Sequence, residues 1–89
     1  MSDERAATIE GILKDVFKPT YVQVKDQSHL HAGHAGARDG RGHFDVTIES
    51  EIFRGKRPLA CHRLIYEAMG SLMETDIHAL RIHARAPTD

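Results

Sequence analysis

Gly42-His43-Phe44-Asp45-Val46-Thr47-Ile48-Glu49 is the stretch whose reading decides the fold. Phe44, Val46 and Ile48 alternate with His43, Asp45, Thr47 and Glu49, the period of two that puts apolar side chains on one face of a strand and polar ones on the other. Upstream, Asp26 to Gly42 carries Gly33, Gly36, Gly40 and Gly42 and almost nothing that could join a core. A loop this long in a small domain is usually functional or disordered. Before it, Tyr21 to Lys25 reads as a second strand, with Val22 and Val24 on one face and Gln23 and Lys25 on the other. The two strands make an antiparallel hairpin. Further upstream, Ile9, Ile12, Leu13 and Val16 recur at helical spacing, Ser2 can cap the helix with Asp3 and Glu4 in its first turn, and Pro19 stops it.

Downstream, Ser50 to Arg57 is a turn region ending in the basic cluster Arg54, Lys56 and Arg57. Pro58 suits the first position of a helix. Leu59, Ile65, Tyr66, Met69, Leu72 and Met73 give that helix a broad apolar face, and Gly70 is expected to weaken it without needing to end it. A last strand runs from Ile77 to Arg85, with His78, Leu80, Ile82 and Ala84 on one face and Arg81, His83 and Arg85 on the other. A helical crossover makes this strand parallel to the one before it. The expected class is α+β: a single domain over residues 1–89, with a three-stranded mixed sheet, flexible termini at about 1–3 and 86–89 and a hairpin loop at about 26–42.

This topology concentrates the histidines. There are seven in 89 residues, and His29, His31, His34 and His43 crowd around the hairpin loop. The loop joins the end of the first strand to the start of the second. If the third strand is parallel to the second, its start, with His78, lies at that same end. His62, near the start of the long helix, belongs at the opposite end. Each also has a plainer reading: His78 as a strand residue in phase with Leu80, His62 as a packing partner, His43 as a solvated or cross-hairpin side chain, and the loop histidines as polar loop residues.

Composition narrows the chemistry. Cys61 is the single cysteine, which excludes an internal disulfide and a site built from cysteines alone. A formal net charge of −1 gives no whole-molecule argument for nucleic acid. No stretch approaches the length of a membrane span, and the polar, acidic start from Met1 to Glu10 does not read as a secretory signal, so a cytoplasmic protein is expected.

The ordered set Ser28-x-x-His31, Gly42-His43-Phe44-Asp45-Val46, Phe53-x-Gly55, His62-Arg63-Leu64-Ile65-Tyr66 and Ile77-His78-Ala79-Leu80 resembles the BolA family, over nearly the whole chain from Ile9 to Pro87. The resemblance implies a class II KH-like αββααβ fold. It also implies a partnership with a monothiol glutaredoxin, in which a 2Fe–2S cluster is bridged between the two proteins as a heterodimer. The glutaredoxin supplies a cysteine and bound glutathione a second thiolate; the BolA-like chain supplies the histidine at the start of its last strand, here His78, and a residue of the hairpin loop. Carried over, the loop ligand is His31, with His34 as the alternate. Where relatives often have arginine before His62 this chain has Cys61, which weakens any basic-patch reading of the helix. No cluster is expected to stay tightly on the isolated chain, itself expected to be a monomer. Imidazole suits this role: as a neutral ligand it leaves a cluster less negative and raises its potential, and when protonated it cannot bind metal.

Three other functions compete. A KH-like fold invites DNA binding by a transcriptional regulator, with Arg54, Lys56, Arg57 and Arg63 on phosphate. The sequence Gly33-His34-Ala35-Gly36 resembles the nucleic-acid GXXG loop but falls between strands rather than helices. A mononuclear zinc or nickel site from His29, His31 and His34 lacks a fourth ligand. An enzyme is not expected, because Cys61 and His62, adjacent on a helix, diverge by about 100° and cannot act as a dyad.

Overall fold

The computed structural model describes residues 4–27 and 42–88. Its elements run in the order helix, strand, strand, helix, helix, strand: α1 (Glu4–Phe17), β1 (Tyr21–Asp26), β2 (Gly42–Glu49), α2 (Pro58–Met69), α3 (Leu72–Thr75) and β3 (Ile77–Arg85), with a 3-10 turn at Glu51–Phe53. The described part of the sheet has the order β1-β2-β3, with β1 antiparallel and β3 parallel to the central β2. This is the αββααβ order and mixed sheet that the resemblance implies.

β2 alternates as its sequence demands: Phe44, Val46 and Ile48 are buried, and His43, Asp45, Thr47 and Glu49 are half-buried. The helices cover the apolar face. α1 contributes Ile9, Leu13 and Phe17, each four residues after the last, and α2 contributes Cys61, Ile65 and Met69 at the same interval. That interval stacks side chains along one stripe of a helix. Phe17 therefore replaces Val16 in the expected α1 face, and Val16 is exposed. Leu59 and Tyr66, expected in the core face of α2, also lie at the surface, at 63% and 40% exposure. Ser2 falls outside the described residues, so the expected cap is not part of this account.

Pro58 does open α2. Gly70 ends it, contrary to the expectation that the helix could continue. Its φ of 57° and ψ of −130° are foreign to a helix, and its N–H caps the chain on the Tyr66 carbonyl at 3.1 Å. A short α3 then delivers the chain to β3.

The register of β3 holds one irregularity. Gly42 faces Ile77, but His43 faces Ala79, so β3 uses two residues where β2 uses one. The extra residue of this bulge is His78. The bulge explains why Ile77 and Ile82 are both buried although strict alternation would put them on opposite faces. It also corrects the expected phase of His78: the side chain leaves the face of Leu80, Ile82 and Ala84 and is exposed.

Candidate metal centre

Three chain segments meet at one end of the sheet. The Gln27 N–H donates to the His43 carbonyl at 2.8 Å, which closes the base of the hairpin loop. The Gly42 N–H donates to the Asp76 carbonyl at 2.9 Å, which ties the start of β2 to the approach of β3. Arg5 of α1 reaches the Asp76 carboxylate at 3.6 Å. A cavity of about 330 Å³ beside this contact is lined by Glu4, Arg5, Thr8, Ile9, Leu72 and Asp76.

His78 sits on this end, held by the bulge rather than by the regular strand. The ring of His43 lies 5.1 Å from that of His78, centroid to centroid, with the planes at 53°. His43 was expected to be solvated or bonded across the hairpin. The bond across the hairpin exists through its backbone carbonyl, while its half-buried side chain lies against His78. His29, His31 and His34 lie outside the described residues. The geometry therefore brings together His43 and His78, a pairing that sequence reasoning missed. Ile77 carried the missed signal: an isoleucine in phase with Arg81, His83 and Arg85 marks a change of phase before His78.

The donor set fits a metal group that receives imidazole from this chain. Cys61, the single cysteine, is 2% exposed within the helix–sheet core and supplies no thiolate at the surface. No group of three or more metal-ligating side chains occurs among the described residues, so thiolates and further ligands would have to come from elsewhere. His62, half-buried near the start of α2, stands at the far end, because α2 begins where β2 finishes.

The rest of the open sheet face is polar. Asp45 lies between Lys25 on β1 and Arg81 on β3 in the register, and one of its carboxylate oxygens, sealed from solvent, is 3.7 Å from Nε2 of His83. At 3.7 Å this is an ion-pair distance rather than a hydrogen bond.

The candidate phosphate contacts gather at the other end. Arg54 is committed locally: its guanidinium bonds the Glu51 carboxylate and donates to the Pro87 carbonyl at 3.2 Å. The Arg54–Glu51 hydrogen bond holds the Glu51 carboxyl below its ordinary range, and the Arg54 charge adds to the effect. Lys56, Arg57 and Arg63 are exposed. Gly55, with φ at 78°, makes the turn that separates Arg54 from Lys56 and Arg57. No helix among the described residues is long and apolar enough to cross a membrane.

Comparison with known proteins agrees with this architecture. The family model described as BolA-like protein matches residues 13–89. The SufE-like protein 1, chloroplastic/mitochondrial, of Arabidopsis thaliana is 37% identical over 96% of this chain, which spans 24% of that relative's length. The DNA-binding transcriptional regulator BolA of Vibrio cholerae is 40% identical over 84% of this chain and 68% of its own. Among solved structures, the BolA domain of SufE1 from Arabidopsis thaliana superposes with a TM-score of 0.85 at 34% identity, covering 98% of this chain and 96% of the other. With the family model matching residues 13–89, this chain belongs to the BolA family.

Proposed function

We propose that the chain is a non-enzymatic adaptor that pairs with a monothiol glutaredoxin to bind a bridging 2Fe–2S cluster, in cluster trafficking or iron regulation. His78 supplies one ligand from this side and His31 of the hairpin loop the second, with His34 as the alternate. The glutaredoxin and its glutathione supply the thiolates. The observation that supports this reading is the bulge at His78, which turns an imidazole out of the sheet at the mouth of the histidine-rich loop. Bulges recur where a strand must re-aim a functional side chain. The site is incomplete within the chain, so occupancy depends on the partner. Mixing the protein with a cluster-loaded monothiol glutaredoxin is expected to give a one-to-one complex with altered visible circular dichroism. His78→Ala is expected to abolish the change, and His31→Ala to weaken it more than His34→Ala does. A full spectral change with the His78 variant would sink the assignment.

A second reading is favoured by the Vibrio cholerae relative, whose name describes a DNA-binding regulator. Lys56 and Arg57 precede the N-terminus of α2, and Arg63 is exposed one turn into it. A helix N-terminus flanked by cations suits phosphate. On this reading duplex affinity falls as salt rises, and Lys56→Ala with Arg57→Ala lowers both the affinity and the salt slope. These two test the reading better than Arg54, whose removal also breaks its contacts with Glu51 and Pro87. An absence of binding at moderate salt removes the reading.

A further inference from the structure

We propose that the outer edge of β3 takes an extended acidic segment of a partner protein as a further strand of the sheet. β3 runs for nine residues and, among the described residues, pairs along one side only, with β2. The Ser50 N–H donates to the Arg85 carbonyl at 3.0 Å, so that carbonyl turns to the β2 side. Successive residues of a strand present their N–H and C=O groups on opposite sides. Arg81, His83 and Arg85 therefore turn theirs to β2, and Leu80, Ile82 and Ala84 turn theirs outward. The bulge disturbs only the start of β3, and Leu80 to Arg85 keep an even register with Phe44 to Glu49. Such an outward row is a template for another strand.

The side chains beside that edge define its occupant. Arg81, His83 and Arg85 stand exposed on the open face of the sheet. On their β2 side, Asp45 faces Arg81 in the register and Glu49 faces Arg85, whose Nε donates to its carboxylate at 2.8 Å. An acidic residue on the far side of each arginine continues this alternation of charge, and opposite charges on neighbouring strands attract. On the other face, Leu80 and Ala84 are half-buried against the core and border the edge with apolar surface. The segment that fits therefore alternates acidic and apolar residues. A second copy of the chain does not fit, because pairing β3 with itself sets its cations beside each other, and like charges repel. In this mode of recognition main-chain hydrogen bonds supply affinity and alternate side chains supply selectivity. The opposite edge, β1, offers Lys25 as the single cation of its open face and makes no comparable row.

The edge follows His78 along β3, and its occupation requires no cluster. The test titrates the native chain with a synthetic peptide that alternates glutamate and valine, and follows backbone amide exchange by NMR. The expected result is saturation at one peptide per chain, with slower exchange at the outward amides of Leu80, Ile82 and Ala84 and no change at those of Arg81 and His83. Ala84→Pro removes one outward donor without touching a bond to β2, a substitution that an edge strand tolerates. It is expected to weaken binding by about tenfold. Arg81→Glu is expected to weaken the glutamate peptide by about as much and to favour a peptide that alternates lysine and valine. The proposal fails if the native chain binds no peptide at millimolar concentration. It fails equally if a peptide of the same composition with its glutamates and valines in separate blocks binds as tightly, or if the lysine peptide does. Protection of the same amides on raising the protein concentration alone would assign the edge to a second copy and overturn the proposal. The amide pattern of the native chain decides the matter even if a variant does not fold.

Discussion

Ser50 shows how much one polar side chain holds at the end of the sheet away from His78. It is 1% exposed, its hydroxyl donates to the Phe17 carbonyl at 2.6 Å, and it accepts from the Ile52 N–H at 3.2 Å. One hydroxyl thus joins the last turn of α1 to the 3-10 turn, beside the contact of Phe17 with Phe53, whose ring centres are 5.1 Å apart. Ser50→Ala leaves buried backbone groups without this partner, and chemical denaturation is expected to register a loss of about 1–3 kcal/mol. Ile65, fully buried in the core, sets the scale for apolar loss: Ile65→Ala is expected to cost about 2–5 kcal/mol in the same assay. The buried state of Cys61 was legible in the sequence as the default for a helical cysteine. The pairing of His43 with His78 was not, because strict alternation assigned His78 to the wrong face and only the out-of-phase Ile77 hinted at the bulge.

Among the elements, two glycines on helices behave in opposite ways. Gly11 lies in the exposed interior of α1, where an added Cβ would meet nothing within 4 Å. Gly11→Ala is expected to raise stability by about 0.5–1 kcal/mol, seen as a higher denaturation midpoint. Gly70 also has room, with its nearest neighbour 3.9 Å from an added Cβ, but its φ of 57° is the obstacle. Gly70→Ala is expected to cost about 1–3 kcal/mol, and a neutral result would show that the break between α2 and α3 is not set by this residue. The strands were read well because β2 has a buried face and an open face, which imposes a clean alternation. Helix faces were read less well. Val16, Leu59 and Tyr66 stand near the right phase yet at the surface; the fully buried stripe runs at four-residue spacing and includes Phe17, with Ile12, Leu64, Leu72 and Met73 packed partly buried beside it.

Across the whole molecule, chain order does most of the positioning. A hairpin followed by a helical crossover necessarily returns the start of β3 to the open end of the hairpin, so the convergence of His78 with the loop base could be read from sequence. The same rule sets His62 and the exposed cations Lys56 and Arg57 at the opposite end, and a glutaredoxin and a nucleic acid would therefore engage different ends. What topology could not supply was the face on which His78 stands, which depends on a one-residue bulge in the β3 register. The central claim is that His78 of this chain is a ligand to a cluster shared with a glutaredoxin. Its most direct test is pulsed electron paramagnetic resonance on the reduced mixed complex, made from 15N-labelled chain and unlabelled glutaredoxin. The account predicts strong 15N coupling from directly bound imidazole, diminished or lost together with the cluster in His78→Ala; a cluster whose 15N coupling is the same with the native chain and with His78→Ala would contradict it.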